Sequence, residues 1–183
     1  GTTALNILKK DKKNFKVKLL TTNSNLNKVY KQAIAFNVKK IVIFNQKKYL
    51  KNIKKFNKKK IKVFSSIQEA LKSNKKKSYL TINAISGIDG LEPSLKIIKH
   101  TKNLAIANKE SIICGWEFIK KELFKCKTSF IPLDSEHFSI WSLLDNKNIK
   151  SIEKIYLTAS GGPFLNTNLD QIKNIKPKYA LKH

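Results

Sequence analysis

The sequence predicts an α/β protein built on a mostly parallel sheet with helices on both faces. Three observations predict it. Apolar runs of strand length alternate with segments of helical periodicity along most of the chain, as in consecutive βα units. Several of these runs end abruptly in polar side chains, and an open α/β sheet offers its ligand groups at the carboxyl ends of its strands. The 183 residues, 41% of them hydrophobic, suffice for one good-sized core, or for one domain and part of another.

In chain order, Gly1 precedes a helix over 2–9, with Leu5 and Leu8 on one face, and a strand over 15–20 follows. Glycine, helix and strand in that order fit the tail of a βαβ unit whose first strand would lie upstream. Thr21-Thr22-Asn23-Ser24-Asn25 closes the strand about twenty residues beyond the glycine, where dinucleotide folds choose between NAD and NADP. An acid there would select the ribose hydroxyls. None is present, so Asn23, Ser24 and Asn25 favour NADP if a dinucleotide binds, and otherwise form a polar turn capping the next helix.

Further alternation gives a helix over 26–36, a strand over 40–44, a helix over 47–57 and a strand over 61–64. Ser65-Ser66-Ile67-Gln68-Glu69 carries helix-capping signals for 66–73, and a strand over 79–83 follows. Gly87 and Gly90 then bracket a turn before a helix over 91–100, giving either a tight turn or a close backbone approach to a ligand. The strand over 104–107 delivers Asn108-Lys109-Glu110-Ser111 to the mouth of a helix that runs to Leu123. Those side chains can orient a phosphorylated or hydroxylated substrate, or Asn108 can simply cap the helix.

The strand over 129–133 leads into Asp134-Ser135-Glu136-His137, where an apolar run ends on two carboxylates, a hydroxyl and an imidazole. Two hard oxygen donors so close together suit Mg²⁺ or Mn²⁺. The same letters also make an ordinary helix start, with Ser135 as cap and the acids at the positive end of the dipole. A helix over 137–144 places Trp141 in the core, and a strand over 152–158 ends in Ala159-Ser160-Gly161-Gly162-Pro163-Phe164, whose free amides can form a phosphate nest. One domain boundary is expected after Leu133, giving a domain over 1–133 and the beginning of another over 134–183.

The formal net charge of +26 raises a Lys-rich nucleic-acid-binding module as an alternative. All 38 basic residues are Lys, however, and Arg is the usual reader of phosphate pairs and base edges. The lysines are spread through every element, which favours a solvated surface over a nucleic-acid footprint. No apolar stretch is long enough to span a bilayer, and no signal peptide is evident near Gly1. Cys114 and Cys126 lack C-x-x-C spacing and read as free thiols of a reducing, cytoplasmic compartment.

Taken together, Ala107-Asn108-Lys109-Glu110-Ser111, Pro132-Leu133-Asp134-Ser135-Glu136-His137 and Leu157-Thr158-Ala159-Ser160-Gly161-Gly162-Pro163-Phe164 occur in an order and spacing that resemble the 1-deoxy-D-xylulose 5-phosphate reductoisomerases. The resemblance runs from Gly1 to His183. It implies a Rossmann-like NADPH-binding domain followed by the start of an α+β catalytic domain. It further implies a metal-dependent rearrangement of a ketose phosphate, hydride transfer from NADPH and 2-C-methyl-D-erythritol 4-phosphate as product, within the non-mevalonate isoprenoid pathway.

Carried onto this sequence, the resemblance gives Asp134 and Glu136 to the metal, Mg²⁺ or Mn²⁺. It gives Lys109, Ser135 and Glu136 to the substrate, with Ser160 and His183 at its phosphate end. Gly1, Asn23, Ser24, Asn25, Asn108 and Glu110 fall to the cofactor. A homodimer is the expected assembly, and neither a membrane nor nucleic acid is an expected partner. The family's usual Gly-Lys-Asn turn is Asn23-Ser24-Asn25 here, and Asp89 replaces a small residue. The first strand, a third acidic ligand and further phosphate-binding residues would lie outside the sequence, so a fragment that does not itself catalyse is expected. The alternative enzyme, another NADP-dependent dehydrogenase of the same cofactor fold, would need neither Asp134-Ser135-Glu136 nor Ser160-Gly161-Gly162.

Overall fold

The computed structural model describes residues 1–72, 74, 76–144, 147–157 and 162–181, without the side chain of Lys55. It divides into two compact units, Gly1–Asp134 and Ser135–His183. In the first, α1 (Thr2–Lys9) leads to β1 (Leu20–Thr22), α2 (Leu26–Ala35), β2 (Lys40–Ile43), α3 (Gln46–Asn57), β3 (Lys62–Phe64) and α4 (Ile67–Leu71). The chain continues through β4 (Ser78–Asn83), α5 (Leu91–Ile97), β5 (Thr101–Ile106), α6 (Lys109–Cys126) and β6 (Ser129–Pro132). All the pairings are parallel, in two three-stranded sheets ordered β1-β2-β3 and β4-β5-β6.

Strand β2 shows why the sheet takes helices on both faces. Ile41 and Ile43 point into one core with Val29 and Ala33 of α2 and Phe56 of α3. Val42, one residue out of phase, enters the other core with Ala70 of α4, Leu104 and Ile106 of β5, and Ile119 of α6. All three β2 side chains are fully buried. The second core joins residues of both sheets, so the half-sheets fold as one unit.

Helix ends explain much of the rest. Ser66 caps α4 by accepting from the Glu69 amide at 3.2 Å, while the Glu69 carboxylate accepts from the Ser65 amide at 3.2 Å. That is the reciprocal arrangement the Ser-Ser-x-x-Glu letters lead one to expect. At three other ends a distant lysine donates to a carbonyl of the last turn: Lys12 Nζ to Ala35 of α2 (2.8 Å), Lys40 Nζ to Ala70 of α4 (3.0 Å) and Lys77 Nζ to Cys126 of α6 (2.6 Å). A cation there answers both the helix-end carbonyl and the negative end of the helix dipole.

In the second unit, α7 (Ser135–Leu144) is followed by short helical turns, including α8 (Leu169–Ile172) and α9 (Pro177–Ala180). Two expectations fail here. Residues 152–157 form no strand, although Ile152, Ile155 and Leu157 give the segment an apolar pattern; among the described residues no strand pairs with them. Trp141 is 40% exposed and stacks at a tilt on Phe138, 5.7 Å between centroids, in a helix that buries none of its residues. Among the described residues no helix is long and apolar enough to cross a membrane.

His100, in the helical turn before β5, is held below its ordinary pKa of 6.5 first by burial, then by the Lys99 and Lys77 ammonium groups. Its unfolded form therefore takes up a proton at a higher pH than its folded form does. The associated stability is complete above the unfolded pKa and declines as the pH falls toward the folded one. Urea unfolding should show a midpoint that drops as the pH falls below the ordinary histidine pKa of 6.5, and His100→Gln should flatten that drop. An unchanged slope in the variant would remove His100 as its cause.

Candidate functional site

Parallel pairing brings strand ends into register. Thr22 lies opposite Ile43, and the Phe44 amide donates to the Thr22 carbonyl at 3.0 Å, so the turns 23–25 and 44–46 leave the first sheet side by side. In the second sheet Asn83 lies opposite Ile106, and the Ala107 and Leu133 amides donate to Asn83 and Ile106. Segments 84–90, 107–109 and 133–134 thus emerge together. This is the edge on which an α/β sheet presents its chemistry.

The most ordered polar group on that edge surrounds Asn108. Asn108 occupies the N-cap position of α6, yet its side chain makes no capping bond, so the simple capping role expected of an Asn there is not the one it takes. Its Nδ2 donates to the Gly87 carbonyl at 2.9 Å and to Ser111 Oγ at 2.7 Å. A carbonyl can only accept, so this contact fixes which way round the amide sits. Ser111, fully buried, lies 3.3 Å from the same Gly87 oxygen. Asn108 Oδ1 is buried without a hydrogen-bond partner among the described residues, a costly state for a polar atom.

Both glycines of the preceding turn serve this contact. Gly87 has φ +69° and ψ −166°, a conformation side chains resist, and it aims its carbonyl at the Asn108 amide. A Cβ on Gly90 would fall 2.1 Å from Asn108 Nδ2 and 3.0 Å from Ser111 Oγ. The close approach open to Gly90 is therefore to the protein's own side chain. Beneath it, buried Asn83 donates to the Gly90 carbonyl (2.7 Å) and to Ser94 Oγ (2.6 Å), and its Oδ1 accepts from the Ile85 amide (3.1 Å). Asn83 and Ser94 are structural members that the sequence signals only as an amide ending an apolar strand and a hydroxyl in a helix.

The remaining candidates divide. Lys109 and Glu110 are exposed in the first turn of α6, immediately beyond the locked amide. Asn23 and Ser24 are exposed, whereas Asn25 caps α2 by accepting from the Lys28 amide at 3.2 Å. Gly1 is the N-cap residue of α1, and its Cβ position is open. Nothing acidic lies in the first turn of α2 or α3.

Asp134 is half-buried at the end of the first unit. In the second, Ser135 Oγ donates to Glu136 Oε2 at 2.9 Å, which helps to orient the half-buried carboxylate. Each of the two carboxylates is a hard oxygen donor of the kind that Mg²⁺ or Mn²⁺ takes. Among the described residues no cluster of three such ligands occurs. Ser160 and His183 lie outside the described residues.

Gly90→Ala should lower stability by about 1–3 kcal/mol, the range for forcing atoms into a packed site. Urea unfolding checks it. Ala at exposed Asp89, one residue earlier, should cost little, and an equally benign Gly90→Ala would show that the amide contact is dispensable.

Comparison with known proteins gives one consistent result. The sequence model for 1-deoxy-D-xylulose 5-phosphate reductoisomerase matches residues 1–115, and that for the C-terminal domain of the same enzyme matches 130–183. The reductoisomerase of Pelagibacter ubique (strain HTCC1062) is 53% identical over 186 residues, covering all of this chain and 48% of the relative. That of Wolbachia pipientis from Culex pipiens is 38% identical over 184 residues, covering all of this chain and 47% of the relative. The chain therefore spans about half the length of the curated relatives it matches. Among solved structures, the Zymomonas mobilis reductoisomerase in complex with NADPH aligns with TM-score 0.83 at 26% identity, over 100% of this chain and 48% of that one. A reductoisomerase complex with NADPH, fosmidomycin and magnesium aligns with TM-score 0.77 at 25% identity, over 98% and 47%.

Proposed function

The chain belongs to the 1-deoxy-D-xylulose 5-phosphate reductoisomerase family, and from that membership we propose that the whole protein converts 1-deoxy-D-xylulose 5-phosphate to 2-C-methyl-D-erythritol 4-phosphate, using NADPH and a divalent cation. The observation that carries the proposal is the pair of family matches, which follow one another in order across nearly the whole chain. The NADPH and magnesium in the related complexes support the cofactor assignment. When bound, NADPH supplies the hydride and the cation polarises substrate oxygens as a Lewis acid.

The chain's own residues take the roles that family membership suggests. Asp134 and Glu136 hold the cation, with Ser135 orienting the second carboxylate and offering its oxygen to the substrate. Lys109 contacts the substrate as an exposed cation at the strand edge. Asn108 and Glu110 line the cofactor, and the Asn108 carboxamide keeps one orientation because both its N–H groups are committed to the fold. Gly1 lies by the pyrophosphate, and Asn23, Ser24 and Asn25 by the adenosine ribose. Ser160 and His183 serve the substrate phosphate. A cytoplasmic homodimer completes the proposal, and the free thiols of Cys114 and Cys126 suit a reducing compartment.

The test is the whole protein assayed with 1-deoxy-D-xylulose 5-phosphate, NADPH and Mg²⁺, following NADPH absorbance. Asp134→Asn should lower kcat by about a hundredfold or more while NADPH affinity changes by less than about twofold, since loss of a metal ligand removes several kcal/mol of charge stabilisation. Chelation should give the same loss, reversed by added Mg²⁺ or Mn²⁺. Full activity in Asp134→Asn would overturn the metal assignment, and no turnover in the unaltered protein would overturn the reaction.

A further inference from the structure

Among the described residues, Lys12, Lys40, Lys77 and Lys48 each donate from Nζ to a backbone carbonyl in a different element. The first three meet the last turns of helices. Lys48 differs. Its Nζ lies 3.1 Å from the carbonyl of Ser24, in the turn after β1, where no helix ends. It cannot be answering the negative end of a dipole, because the chain enters α2 just beyond, with Asn25 as N-cap.

The turn it reaches has a definite role in a dinucleotide-binding sheet. The residues following the second strand of the unit face the adenosine ribose, where an acid selects the free 2′-hydroxyl and a cation accepts the 2′-phosphate. Here Asn23, Ser24 and Asn25 provide neither charge, and Asn25 is already engaged as a cap. The turn carries no cation of its own. Strand register supplies one from the neighbouring βα unit: β1 and β2 end side by side, and Lys48 stands in the first turn of α3, with its backbone fixed by the Asn45 side chain, which accepts from the Lys48 amide at 3.0 Å. An ammonium group has three donors, so the bond to Ser24 leaves two for an anion.

We propose that Lys48 is the specificity-determining residue that recognises the 2′-phosphate of NADPH in this protein. This rests on the cofactor reading above. A side chain borrowed from the following helix thus replaces a cation within the turn, with the Ser24 carbonyl holding it in place. Its preference is for the phosphate alone, because NADH presents the same ribose without that charge.

The test compares dissociation constants for NADPH and NADH, measured by ligand fluorescence with the whole protein and its variants. Lys48→Ala should weaken NADPH about ten- to a hundredfold, the effect of losing one charge-assisted hydrogen bond, and leave NADH within about twofold. Lys48→Arg should retain most of the preference for NADPH. Lys120→Ala, which removes an equal charge from an exposed position on α6, should leave both constants unchanged. An unchanged NADPH-to-NADH ratio in Lys48→Ala, or an equal loss in Lys120→Ala, would overturn the assignment to Lys48 with the cofactor reading intact. Failure of the unaltered protein to bind either dinucleotide would overturn the cofactor reading itself.

Discussion

The functional edge of the larger unit depends on one side chain, the carboxamide of Asn108. It joins the turn after β4 to the start of α6 through two N–H donors, and three features of the sequence exist to let it do so. Gly87 supplies a carbonyl in a conformation other residues resist, Gly90 supplies the missing Cβ, and Ser111 supplies a buried oxygen. Because β4 and β5 are paired in register up to Asn83 and Ile106, a constraint on these two loops holds the sheet's functional edge as a single surface. Lys109 and Glu110 follow directly from that locked residue, so their backbone positions are determined by a contact they do not make.

Much of this was legible in the sequence, and the limits are physical. Alternation of apolar runs and helical periodicity placed five of the six parallel strands of the larger unit to within about three residues, because a segment such as 41–43, buried on both faces, must be apolar; the first, expected over 15–20, forms instead over Leu20–Thr22. Residues 152–157 have a similar run and form no strand. Periodicity reports that a segment can pair, whereas pairing needs an edge to accept it. Trp141 shows the same limit, since an aromatic residue on an apolar helix face identifies a surface that can be covered and not what covers it.

The site was legible at the level of residue type and less so at the level of role. Asn108 and Asn25 both sit at helix N-caps, and the sequence offers capping to each. Only Asn25 takes it, because nothing else competes for its side chain. Asn108 has Gly87 within reach from a segment some twenty residues earlier, a contact set by strand register rather than by local sequence. Lys48 was illegible for a different reason: in a chain with 38 lysines no single one stands out until the fold shows where each ammonium group goes.

The unusual composition gains a structural meaning from those destinations. A formal charge of +26 suggests a surface made for a polyanion, yet Lys12, Lys40 and Lys77 direct their charge inward along the chain, to carbonyls at the ends of α2, α4 and α6. Lysine is suited to this because its long apolar stem lies along the surface while its compact head finds an acceptor. Even left-handed positions usually given to glycine, at Lys60 and Lys127 next to helix ends, carry lysine here. These lysines satisfy backbone carbonyls within the chain itself. What distinguishes a lysine available to a ligand is the carbonyl it meets: one at a helix terminus uses the charge, and one in an open turn does not.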